Sequence, residues 1–170
     1  MEQEEKYTSK LGYYPCIYLT LKDVNEDTYE KMILNMKTAM LNTYKEHMYL
    51  LDSDKIYPFE KEKINDILYF REDEVTLKNS IKDLSEYLSR YYDKPVMLFL
   101  DEYDVPLAKA SSNGYYKEML DVMKTMMSTS LKDNSHLQFA VVTGCLKIAK
   151  ESIFTGTNNF ISDTIISTHL

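Results

Sequence analysis

The sequence has no tryptophan, only four glycines, four prolines and two cysteines, and no long hydrophobic run in 170 residues. So little glycine and proline leaves no room for a long flexible linker or a proline-rich segment. Two cysteines cannot build a disulfide-dense secreted scaffold. Cys16 and Cys145 both stand in apolar, strand-like surroundings and read as two buried thiols of a reducing compartment, with a disulfide as the lesser alternative. No apolar stretch approaches the roughly 20 residues needed to cross a bilayer, so no membrane span is expected. The opening residues, MEQEEKYTSK, are too polar for a secretion signal, and a cytoplasmic location is the expectation. Positive charge is in deficit as well. With 27 acidic and 20 basic residues the formal net charge is −7, so this segment has no general electrostatic footprint for nucleic acid.

What is present describes one domain over residues 1–170. Hydrophobic residues make up 44% and charged residues 28%, an ordinary globular mixture long enough to bury a real core. The fifteen tyrosines and ten methionines read as a matter of packing, since methionine fills irregular core gaps and tyrosine sits half-buried with its hydroxyl in water.

Along the chain, PCIYLTL (15–21) is short, β-branched and aromatic, and predicts a buried strand. Met32, Ile33, Met36, Met40, Tyr44, His47, Met48 and Leu51 then keep helical spacing, with Asn25 or Asp27 as the cap. Pro58 suits the first turn of a shorter helix, FEKEKINDILYF. A third helix over about 77–91 carries the stripe Leu77, Ile81, Leu84 and Leu88 and stops at Asp93-Lys94-Pro95. Together these two form a helical excursion over about 58–92. VMLFL (96–100) has no alternating polar residue and predicts a central strand covered on both faces. A helix over about 115–131 turns Met119, Val122, Met123 and Met126 inward, and LQFAVV (137–142) is another strand. CLKIAKESIF reads as a short helix or turn, and a last strand is placed around Ile165 and Ile166. The order predicts an α/β fold: a parallel sheet with helices on both faces and right-handed crossovers. Ligands of such sheets bind beyond the carboxyl ends of the strands, where Asp23, Asp101, Glu102, Asp104 and Thr143 stand.

The segment VMLFLDEYD has the chemistry of a Walker B element. A buried strand delivers Asp101 to the sheet end, where a carboxylate can hold Mg²⁺ directly or through water. Glu102 beside it can orient or deprotonate a water that attacks a γ-phosphate. The plain alternative is a strand ending in two solvated acids. AVVTG adds Thr143 as a sensor of the phosphate or the water, against the simpler role of capping the next turn. A nuclease metal cluster of Asp101, Glu102 and Asp104 is disfavoured by the acidic charge and the missing nuclease lysine. No G-x-x-x-x-G-K-[ST] occurs; the glycines are Gly12, Gly114, Gly144 and Gly156, and none precedes Lys-Ser or Lys-Thr. Without that loop no set of backbone N–H groups cradles the phosphates.

The segments YPCIYLTLKDVNEDTYEKM, LSEYLSRYYDKPVMLFLDEYDVP and VVTGCLKIAKESIFTGTNNF resemble the AAA-ATPase-like domain family of bacterial proteins, P-loop NTPase relatives, over about residues 5–167. The resemblance implies ATP and Mg as cofactors, Asp101 as the metal and nucleotide-site acid, Glu102 as the catalytic acid and Thr143 as the sensor. Lys147 stands where the family commonly carries arginine, which implies a basic phosphate contact. Family members have an Arg-Pro-Arg-rich P-loop segment first and usually a PD-(D/E)xK nuclease-like domain last. The resemblance therefore implies a truncated, partial P-loop fold lacking the P-loop strand, ATPase-like by descent and inactive alone. The other reading is a non-catalytic interaction module that self-associates or binds full-length relatives. The expected strand order is 15–21 at one edge, 96–100 in the middle and 137–142 at the other edge. An edge left bare there predicts a homo-oligomer, a two-fold dimer first of all, unless the tail around Ile165 and Ile166 fills it.

Overall fold

The computed structural model describes residues 12–132 and 134–145 of the chain. Three strands, β1 (Cys16–Thr20), β2 (Val96–Asp101) and β3 (Leu137–Val142), form one sheet in the order β1-β2-β3. Both pairings are parallel, with Ile17 opposite Leu98 opposite Ala140, and Leu19 opposite Leu100 opposite Val142. That is the order expected from the sequence. Helices α1 (Tyr29–Lys45), α2 (Pro58–Leu68) and α3 (Glu74–Tyr92) connect β1 to β2, and α4 (Val105–Asn113) and α5 (Tyr116–Leu131) connect β2 to β3.

The helices α1 to α4 begin where the sequence supplies a terminus. Thr28, rather than Asn25 or Asp27, caps α1: its hydroxyl accepts the Lys31 N–H at 3.4 Å. Pro58 occupies the first turn of α2, and Glu60 reaches back to the Tyr57 N–H at 2.9 Å. Asp73 caps α3 through the Thr76 N–H at 2.7 Å, and Asp93 closes it in the left-handed conformation, φ 54°. The helix α4 was not foreseen. Pro106 sits in its first turn and Gly114 ends it at φ 83°, so a sequence that reads as a turn is a helix of nine residues.

The core is a stripe from each helix laid on one face of the sheet. Met32, Met36, Met40 and Tyr44 of α1, Leu77, Ile81, Leu84 and Leu88 of α3, and Met119, Val122, Met123 and Met126 of α5 are all buried. They meet Ile17, Leu19, Val96, Leu98 and Leu100 of the strands. Each such side chain contributes about 1.5–3 kcal/mol of burial. The Tyr44 hydroxyl, deep in this layer, donates to the Ser80 carbonyl at 2.8 Å and ties α1 to α3.

The second face differs from the expectation. Tyr18 is 51%, Phe139 58% and Val141 36% exposed, and Met97 and Phe99 of β2 are half-buried. Among the described residues the helices therefore cover one face, not two, and VMLFL is sealed on one side only. The cause is topological. Two right-handed crossovers that step in the same direction across a sheet deliver their helices to the same face. Cys16 lies on the open side and Cys145 follows the end of β3, so both thiols are exposed and free where buried thiols were expected. The helix α1 ends at Lys45; His47 precedes a 3-10 turn (Met48–Asp52), which leaves Met48 exposed. The segments CLKIAKESIF, apart from Cys145, and Ile165-Ile166 lie outside the described residues.

Candidate functional site

The strand β2 carries Asp101 to the carboxyl end of the sheet and holds it from both sides. On one side the Leu21 N–H donates to the Asp101 carbonyl at 2.9 Å; on the other the Thr143 N–H donates to the Leu100 carbonyl at 2.9 Å. Strand alternation puts the Asp101 side chain on the open side of the sheet, in register with Thr20 of β1. The chain then reverses through Glu102, whose φ of 55° is left-handed, and the Val105 N–H closes the turn on the Glu102 carbonyl at 3.2 Å. A non-glycine residue in that region costs of order 1 kcal/mol. The neighbouring contacts of β2 and β3 hold it there.

The turns after β2 and β3 are locked to each other. The Thr143 hydroxyl donates to Asp101 Oδ1. The Tyr103 N–H donates to the Thr143 carbonyl at 3.2 Å. Asp104, only 3% exposed, accepts the Cys145 N–H on Oδ2 at 2.7 Å. Gly144 lies so close that a Cβ there would stand 2.6 Å from the Tyr103 ring and 2.8 Å from Asp104 Oδ1. Glycine at this position is a requirement of close approach. Burial pushes the Tyr103 phenol above its ordinary range, with the Asp104 charge adding to it, so it stays a neutral packing element.

Of the residues singled out from the sequence, Asp101 and Thr143 are in direct contact, and Glu102 is the next residue at the strand tip. Asp104 serves the Gly144-Cys145 turn. Asp23 follows β1 and is drawn toward α1: its carbonyl accepts from the Asn35 side chain at 3.2 Å. Lys147 lies outside the described residues. The lock of Tyr103 and Asp104 on Gly144 was missed as such. Its only signal in the sequence is a glycine directly after the strand-end threonine and a second aspartate in DEYD.

The donors suit a hard cation. Asp101 is half-exposed, with one carboxylate oxygen on the Thr143 hydroxyl. Among the described residues no group of three or more His, Cys, Asp or Glu side chains could enclose a metal. A single carboxylate of this kind would suit a cation that keeps most of its waters, as Mg²⁺ does, and not a caged ion. The residues for the phosphates themselves are another matter, since the sequence has no phosphate-cradling loop.

No solved structure matches the chain. A curated protein of Azotobacter chroococcum mcd 1, described as an uncharacterized protein in the vnfD 5' region, is 32% identical over 65 residues. That match takes in 38% of this chain and 13% of the relative's length. The family model for predicted AAA-ATPases matches residues 1–154, which contain all three strands and the acids and threonine at their ends. The chain belongs to the predicted AAA-ATPase family.

Proposed function

We propose that residues 96–102 are a Walker B element within an AAA-ATPase-like domain, and that these 170 residues by themselves do not hydrolyse ATP. In this reading Asp101 holds Mg²⁺, Glu102 orients the attacking water, Thr143 senses the phosphate, and Lys147 adds a basic contact. The observation that carries it is the bond from the Thr143 hydroxyl to Asp101 at the ends of adjacent parallel strands. Family membership supports the use of nucleotide and Mg²⁺ in general. The absence of G-x-x-x-x-G-K-[ST] from the sequence supports inactivity of this segment alone. Bound Mg²⁺ would neutralise charge on a transferring phosphoryl group; what this chain contributes is the acid at a fixed strand tip and a hydroxyl that orients it. The reading includes a cytoplasmic location, and no described helix is long and apolar enough to cross a membrane.

Two measurements test it. Mn²⁺ added to the labelled chain should broaden amide signals centred on Asp101, Glu102 and Thr143, and Asp101→Asn should abolish this. Broadening elsewhere, or none at millimolar metal, refutes the Walker B assignment. Calorimetry with Mg-ATP should show no micromolar affinity. Turnover that disappears in Glu102→Gln would refute inactivity.

A second reading, an interaction module, is favoured by β3. Its residues Phe139 and Val141 are exposed, and the alternation of the ladder turns the backbone groups of Gln138, Ala140 and Val142 away from β2. Such an edge is a template for another chain, and a two-fold dimer is its commonest closed form. Sedimentation at micromolar concentration should show a dimer; a monomer at all concentrations removes this reading.

A further inference from the structure

The opposite edge of the sheet carries a second feature, independent of Asp101. In β1 the residues bonded to β2 are the odd ones. The Met97 N–H donates to the Pro15 carbonyl at 2.9 Å and the Leu21 N–H to the Asp101 carbonyl at 2.9 Å, which brackets Ile17 and Leu19. By alternation Cys16, Tyr18 and Thr20 turn their N–H and C=O groups away from the sheet. The helix α1 runs beside that edge without sealing it. A hydrogen bond from the Thr43 hydroxyl to the Tyr18 carbonyl, at 3.4 Å, joins the two. Between edge and helix lies a cavity of about 300 Å³.

The lining is specific in its chemistry. Tyr18 and Thr20 form the strand side, Asn35, Asn42 and Glu46 the helix side, and Asp23 closes one end. Asn35 and Asn42 of α1 and Glu46, its C-cap, lie seven and four residues apart along one side, distinct from the Met32-Met36-Met40-Tyr44 stripe that faces the core. The cavity thus holds two carboxylates, with no lysine or arginine lining it among the described residues. The Tyr18 carbonyl is taken by Thr43; the other outward backbone groups of Cys16, Tyr18 and Thr20 make the kind of strand edge to which an extended peptide adds as a further strand: main-chain hydrogen bonds give affinity and flanking pockets give side-chain choice. Two-fold pairing through this groove would set the carboxylates of one copy against those of the other, so a second copy of this acidic chain is the wrong occupant.

We propose that the groove between β1 and α1 binds an extended, basic peptide segment of a partner protein by strand addition, with separate lysine or arginine side chains directed at Asp23, beside Asn35, and at Glu46, which caps the far end of α1. The probe is a fluorescein-labelled eight-residue peptide of alternating lysine and valine, titrated into the full chain and followed by anisotropy. Saturable binding is expected, with at least a tenfold loss on N-methylation of alternate backbone amides along one edge of the peptide. A similar loss is expected with glutamate in place of lysine, and in the surface double variant D23N/E46Q, whose melting temperature should be unchanged. Amide exchange at Cys16, Tyr18 and Thr20 should slow on addition of peptide. Equal binding of the methylated or the acidic peptide overturns the proposal, and so does an absence of saturation. Protection of those amides without peptide that rises with protein concentration also overturns it, because a second copy would then hold the edge. None of these readings depends on metal or nucleotide, so they stand or fall apart from the Walker B assignment.

Discussion

Gly144→Ala tests the lock between the two strand-end turns most directly. The added Cβ would meet Tyr103 Cε1 at 2.6 Å and Asp104 Oδ1 at 2.8 Å. Non-bonded carbons rest at about 3.5–4.0 Å, so roughly 1 Å of overlap must be relieved. Tyr103 is 5% exposed and packed in the core, and Asp104 is tied to the Cys145 N–H, so neither yields freely. Overpacking of this kind costs about 1–3 kcal/mol. For a chain of this size that is a fall in melting temperature of roughly 2–12 °C. Urea unfolding gives the free energy, and a double-mutant cycle gives the cause. Tyr103→Ala removes the ring that the methyl strikes, so Gly144→Ala should cost at least about 1 kcal/mol less in that background than in the parent. A Gly144→Ala chain as stable as the parent, or a cycle with no coupling, would refute the packing of Tyr103 and Asp104 on this turn.

Other expectations follow from buried charge. Arg90 bonds Glu60 Oε2 at 2.6 Å and Glu86 Oε1 at 2.5 Å and lies over the Tyr57 ring; Arg90→Met strands the buried Glu60 carboxylate and should cost about 2 kcal/mol, less than a fully buried pair because Arg90 is partly in water. Lys63→Ala, which breaks the exposed pair with Asp83, should stay within about 0.5 kcal/mol in the same urea assay. Burial holds the His47 imidazole below its ordinary value, partly offset by Glu46. The folded state therefore resists protonation: stability is full above the unfolded value of about 6.5 and falls as pH drops through it, and His47→Gln should flatten that part of a pH 8 to 5 series. Glu72 shows the opposite sign, with burial raising its carboxyl above the usual range against the weaker pull of the Lys37 charge. Its contribution is present below about pH 4 and lost as pH rises through the raised folded value, and neither carboxylate oxygen has a partner among the described residues. Glu72→Gln should thus stabilise the chain by about 1 kcal/mol at pH 7, seen as a higher urea midpoint.

The strands were legible because each is a short apolar run between breakers, and the helices because methionine and leucine recur at helical spacing. From those two patterns the parallel order follows, and with it the placing of Asp101 and Thr143 at one end of adjacent strands. The open face was not legible. Met97 and Phe99 are as apolar as Val96 and Leu98, so the composition of VMLFL cannot say which parity is covered; that depends on where the crossovers land. Cys16 and Tyr18 fall on the open side for the same reason. The helix α4 was hidden because Pro106 is equally at home in a turn and in a helix first turn. Asn25, Asp27 and Thr28 are all competent caps within four residues, and local pattern does not choose among them. The bond from Cys145 to Asp104 spans 41 residues, and no spacing rule reaches that far.

Parity also joins the open face to the site. Asp101 continues the Met97-Phe99 row of β2, and Thr143 continues the Phe139-Val141 row of β3. The pair that carries the proposed chemistry therefore stands at the rim of the exposed apolar surface, not over the helical layer. On the helical side the strands present Ile17, Leu19, Val96, Leu98 and Leu100, with Ala140 and Val142 of β3 beside them, to methionine and leucine stripes, and a substitution there acts on stability. On the open side a substitution in the rows that lead to Asp101 and Thr143 changes what borders them. Phe99→Ser and Val141→Ser should accordingly cost less stability than Leu98→Ser, because their side chains already meet water, yet shift the Mn²⁺-broadened signals of Asp101 and Thr143 more. Equal stability losses in the three variants, measured by urea unfolding, would mean that both faces of β2 are sealed and that the site does not open where the strand alternation puts it.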